Sequence, residues 1–411
     1  MLLPGVSQAA LEEQMRELAE LTTTAGGHVV GHDVQRREVA DPTFFVGRGK
    51  VDEIREERDE VAYDIVVCNE DLSPRQQRNL ENELKVRVVD RTELILDIFA
   101  QHARTREGRL QVESAQLHHT LPRLIGAWSY HRQGGGIGTR GPGEQQIEVE
   151  RRRIRRRLKD LERELDEVRR QREQQRRGRH GSELATVAIV GYTNAGKSTL
   201  LNRLTDAGVR AENRLFATLD PTTRRVRLEN GRELLLTDTV GFIQKLPTDL
   251  VAAFRATLEE VTFSDVVLHV VDASAPAVLE HAGTVDAELA ELGAAGKPRV
   301  IAANKIDLVG SAGARRVLTA LSERYRRVVA ISALTGAGME ELLAAVEDAA
   351  SGDLVPLRVL VPYGRESVLH ELRQLGGLEG SEFTERGTLA WGRAPRQSLH
   401  RFQPFLVESA G

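Results

Sequence analysis

The sequence has few of the features that mark secreted and membrane proteins. Cys68 is the only cysteine among 411 residues, so no disulfide can form within the chain. This scarcity favours a reducing compartment, most simply the cytosol. No apolar run approaches the length of a membrane-spanning helix. Met1–Glu20 lacks the basic start and apolar centre of a signal peptide. We therefore expect a cytoplasmic protein without a membrane span.

An excess of charge of one sign is also missing. The formal net charge is −4, with 29% charged and 40% hydrophobic residues, which is typical of a globular chain with a charged surface. Affinity for a polyanion must therefore come from a local cluster of basic residues. The length predicts about two to four domains, and we expect the chain to act as a monomer.

Residues 1–108 alternate strand-like and helix-like runs. This order is typical of a small parallel α/β domain. The predicted strands are His28–Val34, Asp64–Cys68 and Val86–Val89, and the predicted helices are Pro74–Leu84 and Thr92–His102.

Two helical stretches in residues 109–180 carry aliphatic residues at heptad-like spacing. A glycine-rich loop, residues 132–143, separates them, and glycine backbone entropy opposes its being helical. The pattern predicts a long antiparallel helical hairpin with this loop at its tip. The seam residues are Leu110, Leu117, Leu121 and Leu124 in the first helix and Ile147, Ile154, Leu158, Leu161, Leu165 and Val168 in the second.

The strongest motif follows the strand-like run Thr186–Val190. A glycine-rich loop leads from this run into a helix, and in that setting backbone N–H groups and a helix N-terminus bind phosphate. Lys197 is placed to reach the β- and γ-phosphates of a nucleotide, and the Ser198 hydroxyl is placed to bind Mg²⁺. The loop consists of Gly191, Tyr192, Thr193, Asn194, Ala195, Gly196, Lys197 and Ser198.

A second motif ends a predicted β-ribbon. Asn230-Gly231 is a hairpin signal that pairs Arg224–Leu228 with Glu233–Thr237. After this Ras-like ribbon, Asp238 is expected in the metal shell, and the Gly241 N–H is expected at the γ-phosphate. The motif consists of Asp238, Thr239, Val240 and Gly241.

Two motifs at later strand ends predict recognition of guanine. Asp307 offers a carboxylate that accepts from guanine N1–H and the exocyclic amine, and we expect it to be buried. The Ala333 N–H is expected to donate to guanine O6. Adenine lacks the donors that Asp307 requires, so GTP and GDP are the predicted ligands. The motifs, which follow the strands Arg299–Ala303 and Val328–Ile331, are Asn304, Lys305, Ile306 and Asp307, and Ser332, Ala333 and Leu334.

These motifs indicate a Ras-like P-loop GTPase domain in residues 183–351. Residues 355–411 follow as a small C-terminal α+β domain, with strands Leu357–Val361 and Gly387–Trp391 and helix Glu366–Leu375. The predicted fold class is α/β and multidomain. It combines an N-terminal α/β domain bearing a long antiparallel helical hairpin, the GTPase domain and the C-terminal domain.

Residues 215–223 are the candidate switch segment. One threonine hydroxyl must reach Mg²⁺ when the γ-phosphate is present. The candidates are Thr218, Thr222 and Thr223, and the sequence alone does not choose among them. The part predicted to border the nucleotide consists of Phe216, Ala217, Thr218, Leu219 and Asp220.

The catalytic group is predicted to be Lys197, Thr218, Gly241 and Asn194, and hydrolysis is expected to be slow. Phe242 occupies the position where Ras-type enzymes place a water-orienting glutamine, and a phenyl ring cannot hydrogen-bond water. An Asn194 carbonyl beside the β–γ bridge would help to hold K⁺. The alternative is that Asn194 only stabilises the loop.

Arginines crowd the second helix of the hairpin. In Arg151–Arg157 we expect phosphate contacts, whereas the later part of the helix fits a solvated, salt-bridged face equally well. Arg132 and Arg140 flank the loop glycines, which suits close approach to an RNA backbone.

Several stretches resemble the HflX family of ribosome-associated GTPases. They lie in order over residues ~45–350 and are Gly47–Glu53, Gly134–Gln146, Phe216–Thr222 and Asp238–Ile243. The resemblance implies binding to the large ribosomal subunit, with the hairpin tip directed toward the peptidyl-transferase region. It also implies that Thr218 is the Mg²⁺ ligand. Some relatives split stalled ribosomes, and relatives are described as having a second purine-nucleotide activity in the N-terminal domain.

The favoured prediction is a GTP-hydrolysing protein that contacts ribosomal RNA of the large subunit through the hairpin. Three alternatives stay open. One is a GTPase that assembles the large subunit without splitting finished ribosomes. Another is a signalling switch whose coiled-coil hairpin docks a protein effector, since heptads with flanking charges fit that role. The third is an ATP-driven RNA remodeller that uses the N-terminal domain.

Overall fold

The computed structural model divides into two compact units. The described residues are 8–124, 142–179, 184–205, 215–216, 218–228, 231–243, 260–350, 354–374, 377–395 and 399–407. The first unit takes those within Met1–Glu173, Glu212–Asp220 and Ile243–Thr257, and the second takes those within Gln174–Ala211, Pro221–Phe242 and Leu258–Gly411. The predicted loop residues 132–141, together with Ala217 and Asn230, lie outside the described residues.

The first unit begins as the predicted parallel α/β arrangement. Its strands β1 (Ile65–Cys68) and β2 (Arg87–Asp90) are parallel. Ser73 starts one helix with a capping box, because its hydroxyl accepts from the Gln76 N–H while the Gln76 side chain accepts from the Ser73 N–H. The helices are α1 (Gln8–Thr24), α2 (Arg48–Val61), α3 (Pro74–Leu84) and α4 (Arg91–His102).

The strand predicted at His28–Val34 is wrong. This segment is irregular, and Val29 and Val30 are 40% and 51% exposed. A run of β-branched residues forms a strand where it can bury one face against neighbours, and these valines remain at the surface.

The hairpin consists of α5 (Arg106–Leu124) and α6 (Pro142–Arg179). Arg106 meets Glu164 at 3.3 Å and Glu113 meets Arg157 at 2.7 Å, an order that requires antiparallel helices. α5 begins before the predicted start of the hairpin at residue 109, because the Thr105 hydroxyl caps it. α6 begins inside the predicted loop 132–143, because proline is favoured in the first helical turn. Of the predicted seam residues, Leu110 of α5 and Ile154, Leu158 and Leu161 of α6 are buried. The others, which are half-buried, are Leu117, Leu121, Leu124, Ile147, Leu165 and Val168.

The second unit is built on a six-stranded sheet with helices on both faces. The strand order is β4 (Thr222–Arg227), β5 (Glu233–Asp238), β3 (Ala185–Gly191), β6 (Val266–Asp272), β7 (Arg299–Asn304) and β8 (Val328–Ala330). β4 is antiparallel to β5, and the other neighbours are parallel. One face packs against α7 (Lys197–Thr205) and α10 (Met339–Ala350), and the other against α8 (Val278–Glu291) and α9 (Ser311–Arg324).

The end of the chain forms a separate antiparallel sheet. Its order is β10 (Leu378–Thr384), β11 (Gly387–Pro395) and β9 (Leu354–Val361), with α11 (Glu366–Gln374) and the short α12 (Leu399–Phe402) packed on one face. β10 was not predicted, because its sequence Leu-Glu-Gly-Ser-Glu-Phe-Thr lacks regular alternation of apolar and polar residues. No helix within the described residues is long and apolar enough to cross a membrane.

Candidate nucleotide site

The phosphate-loop motif joins β3 directly to the N-terminus of α7. Gly196 has φ +96°, and a Cβ there would lie 2.3 Å from the Asn304 Nδ2 atom. Gly241 lies close by, since a Cβ on it would lie 2.9 Å from the Lys197 Nζ atom. The backbone of both motifs therefore comes close to Lys197 and Asn304 because these positions lack side chains.

Lys197 is a buried cation at the centre of this loop. Its Nζ donates to the carbonyls of Gly191 at 3.1 Å and Tyr192 at 2.9 Å, and no ion pair to it is found within the described residues. Burial lowers the pKa of this amine to about 8, although Asp238 acts in the opposite direction. An anion at the loop would offset the desolvation, so Lys197 fits a phosphate group.

Ser198 and Asp238 form a pair suited to a metal ion. The Ser198 hydroxyl, in the first turn of α7, donates to Asp238 Oδ2 at 2.7 Å. Asp238 is buried at the end of β5, where it lies opposite Ile189 of β3. A hydroxyl and a carboxylate oxygen are ligands that Mg²⁺ prefers, usually together with phosphate oxygens and water. The pair therefore fits the predicted Mg²⁺.

Phe242 connects the two phosphate motifs through its backbone. Its N–H donates to the Gly191 carbonyl at 3.1 Å, and its carbonyl accepts from the Thr193 N–H at 2.7 Å. The ring is buried in the core cluster that includes Val190 and Leu289. The position predicted to lack a water-orienting side chain thus holds a structural residue.

Asn304 connects the phosphate loop to the base side of the site. Its Nδ2 donates to the Ala195 carbonyl at 2.8 Å, and its Oδ1 accepts from the Ala333 N–H at 2.9 Å. The Ala333 N–H, which is expected to donate to guanine O6, thus donates to Asn304 within the protein. The motif did not indicate that Asn304 bridges these segments. A polar residue at the end of a buried strand does signal, however, that its side-chain amide needs hydrogen-bond partners.

Asp307 lies in a short 3₁₀ turn, Ile306–Leu308, and its side chain is exposed. The protein alone therefore does not desolvate the carboxylate, and contact with a base would have to bury it as expected. The neighbouring Lys305 pairs with Asp272 at 2.7 Å. In the motif Ser332–Leu334, Ser332 is buried, whereas Leu334 is 69% exposed.

Arg203, which the motifs did not indicate, binds the backbone of the loop Ser332–Leu334. Arg203 of α7 donates from Nε to the Ala333 carbonyl at 3.2 Å and from Nη2 to the Leu334 carbonyl.

Asn194 of the phosphate loop has φ +61°, a left-handed conformation that asparagine tolerates better than most residues. This conformation by itself accounts for an asparagine there.

The three candidate threonines of the switch segment have different settings. Thr222 and Thr223 belong to β4, where Thr222 lies opposite Asp238 and the Thr223 hydroxyl is 2.9 Å from that of Thr237. Thr218 lies outside a strand and is half-buried. Phe216 and Asp220, predicted beside the nucleotide, contact other residues of the first unit.

Comparisons with known proteins agree with these motifs. Residues 12–100 match the family model described as GTP-binding GTPase N-terminal, residues 102–179 match the GTP-binding GTPase Middle Region, and residues 186–305 match the 50S ribosome-binding GTPase. GTPase HflX of Caldanaerobacter subterraneus subsp. tengcongensis is 43% identical, with 99% of this chain and 93% of that protein covered. The chain belongs to the HflX family of GTPases. The resemblance inferred from its motifs is thereby confirmed.

A second HflX relative is similar to the same extent, and a solved structure is similar to a smaller extent. GTPase HflX of Escherichia coli is 43% identical, with 92% of this chain and 88% of that protein covered. Among solved structures, a GTP-binding protein from the archaeon Sulfolobus solfataricus in complex with GDP is 26% identical, with 83% of this chain and 96% of that chain covered, at a TM-score of 0.46.

Proposed function

We propose that this HflX-family GTPase binds GTP and GDP with Mg²⁺ at the loop Gly191–Ser198 and acts on the large ribosomal subunit in the cytoplasm. The observation that carries the nucleotide assignment is the Ser198–Asp238 pair beside the buried amine of Lys197. The proposed domains are the N-terminal domain (1–108), the helical hairpin (109–180), the GTPase domain (183–351) and the C-terminal domain (355–411). The chain is proposed to work as a monomer.

Each motif has a proposed role in this reaction. Lys197 binds the β- and γ-phosphates, and the Gly241 N–H donates to the γ-phosphate. Asp307 accepts from guanine. Mg²⁺ held at Ser198 supplies charge neutralisation for the phosphates. Thr218 is the proposed second hydroxyl ligand on the family resemblance, and it lies outside a strand, whereas Thr222 and Thr223 belong to β4.

Hydrolysis is proposed to be slow without a partner. The Phe242 ring is in the core, so it offers no group to orient water. Two factors could raise the rate of GTP hydrolysis at this site: a ribosomal particle that completes the site, and K⁺ held near Asn194. The K⁺ proposal predicts faster turnover in KCl than in NaCl at matched ionic strength, and equal rates would remove it.

Free arginines on α6 support contact with ribosomal RNA. Arg153, Arg155 and Arg156 are exposed, and no ion pair to them occurs within the described residues. Arg157 differs, because it makes a bidentate contact with Glu113 and also meets Glu164. Arg157 thus links α5 to α6, so it supports RNA contact less than the three unpaired arginines do. The description 50S ribosome-binding, carried by the family model over residues 186–305, agrees with a ribosomal partner.

The effector-docking alternative has less support. Leu158 and Leu161 of the heptad seam are buried, at 6% and 0% exposure, so the hairpin itself uses them. Splitting of stalled ribosomes is the preferred ribosomal role on the family resemblance, and assembly of the large subunit is the alternative.

The proposed function is tested by GTP turnover with and without purified large ribosomal subunits. We expect a low rate alone and a clear rise with large subunits, while small subunits serve as the control particle. A protein that turns over GTP equally in all three samples contradicts the ribosomal partner. A protein that binds neither GTP nor GDP contradicts the nucleotide site.

A further inference from the structure

The switch segment is anchored at two points within the first unit. At one point Phe216, which is 3% exposed, places its ring edge-to-face against Phe99, with 4.6 Å between ring centroids. At the other, Asp220 contacts the segment that leads into α5. Thr218 lies between the two anchors, so its position depends on both.

The Asp220 carboxylate completes the N-terminus of α5. Its Oδ2 accepts from the backbone N–H groups of Arg104 at 3.0 Å and Thr105 at 2.9 Å, and its Oδ1 accepts from the Thr105 hydroxyl. The oxygen of that hydroxyl in turn accepts from the Gly108 N–H at 2.9 Å. N–H groups at a helix start lack partners within the helix, and the helix dipole favours an anion there. Thr105 therefore caps α5 directly, and Asp220 holds Thr105 in place and adds a negative charge near the helix start.

Gly108 leaves the space that this cap occupies. A Cβ at this position would lie 2.5 Å from Asp220 Oδ1. Glycine inside a helix is less favourable than alanine, so the close approach of Asp220 explains a glycine here. Gly49 in α2 is a useful contrast, because a Cβ there meets nothing within 4 Å.

We propose that Asp220, Thr105 and Gly108 are positioning residues for the switch, which restrict where Thr218 can lie. This inference rests on the proposed function, in which Thr218 binds Mg²⁺ with GTP. A segment ordered in advance loses less conformational entropy when it engages a ligand. GDP has no γ-phosphate and does not require Thr218. Loss of the cap should therefore weaken GTP binding selectively.

The test compares Asp220→Ala and Gly108→Ala with matched controls. Asp220→Ala removes both acceptor oxygens, and Gly108→Ala displaces the carboxylate while it favours the helix. The controls are Asp97→Ala, at an exposed position on α4, and Gly49→Ala. With Mg²⁺ present, we expect both test variants to bind a non-hydrolysable GTP analogue about tenfold more weakly, the cost of ordering roughly one residue. GDP affinity and both controls should match wild type.

Hydrogen exchange measures the cap directly. The Arg104 and Thr105 amides should exchange faster in both test variants than in wild type and the controls, because they lose their acceptor. Unchanged exchange, unchanged affinity for the GTP analogue, or tighter binding of that analogue would each overturn the proposal. If wild type bound neither GDP nor the GTP analogue, the nucleotide site itself would be wrong.

Discussion

Lys197 makes nucleotide binding depend on pH at the scale of a single residue. Burial lowers the pKa of its amine to about 8, and a phosphate beside it raises that pKa again. Binding therefore takes up a proton wherever the amine is neutral beforehand. Affinity for GDP should be constant below pH 8 and fall above it, by roughly tenfold per pH unit until the pKa of the bound state is reached. Titrations between about pH 7 and 9 that show constant affinity would contradict a buried, phosphate-binding Lys197.

Asp307 controls which base is accepted. An asparagine at this position offers an N–H where guanine presents its amine, so Asp307→Asn should weaken GTP and GDP by about 3 kcal/mol, since a donor then faces a donor. Xanthine carries a carbonyl in place of that amine, and the variant should bind XDP more tightly than wild type does. Competition between GDP and XDP measures both effects. Retained preference for GDP in the variant would place guanine recognition elsewhere.

Asn304 shows what a motif conveys about a residue and what it omits. The tetrapeptide Asn304–Asp307 was recognised from its spacing and its position after a strand. The contacts of Asn304 with Ala195 and Ala333 join segments far apart in the chain, and a local pattern does not specify such partners. For the same reason the sequence did not indicate that the Ala333 N–H donates to Asn304, or that Arg203 binds the carbonyls of Ala333 and Leu334.

At the scale of elements, prediction succeeded where one strong local rule determined the structure. Thr186–Val190 was predicted as a strand from its apolar run, and β3 (Ala185–Gly191) is central in the sheet and buried. The heptad spacing likewise predicted Leu110, Ile154, Leu158 and Leu161 of the hairpin, which are buried. His28–Val34 failed because local composition does not show whether a neighbouring strand exists. β10 was missed because its pairing with β11, and not its own composition, makes it a strand.

The hairpin seam offers a prediction at this scale. Leu161 is 0% exposed, and truncation of a buried leucine costs about 2–5 kcal/mol. Leu161→Ala should therefore lower the denaturation midpoint of the hairpin, whereas Leu165→Ala, at a half-exposed position of the same seam, should cost less. Chemical denaturation followed by circular dichroism compares the two variants. Equal, small losses would indicate that α5 and α6 do not pack through Leu161, which would revive the effector-docking alternative.

For the whole molecule, the proposal assigns the phosphate loop and guanine recognition to the second unit and RNA contact to the hairpin of the first. The net charge of −4 means that attraction to RNA must come from a local surface. That surface is defined by Arg153, Arg155 and Arg156. A second set on the same helix, Arg163 and Arg169, pairs with Asp160 and Asp166 and provides an internal comparison, since paired charges release fewer counterions on binding RNA.

Cosedimentation with large ribosomal subunits across a salt series tests this account most directly. Wild type is compared with charge reversal of Arg153, Arg155 and Arg156 to glutamate and with reversal of Arg163 and Arg169, with GDP binding as the control for folding. We expect the first variant to cosediment more weakly and with a smaller salt dependence, because each lost phosphate contact lowers the slope by roughly one. The second variant should remain closer to wild type. If both variants cosediment as wild type does at every salt concentration, the hairpin is not the surface that contacts the ribosome.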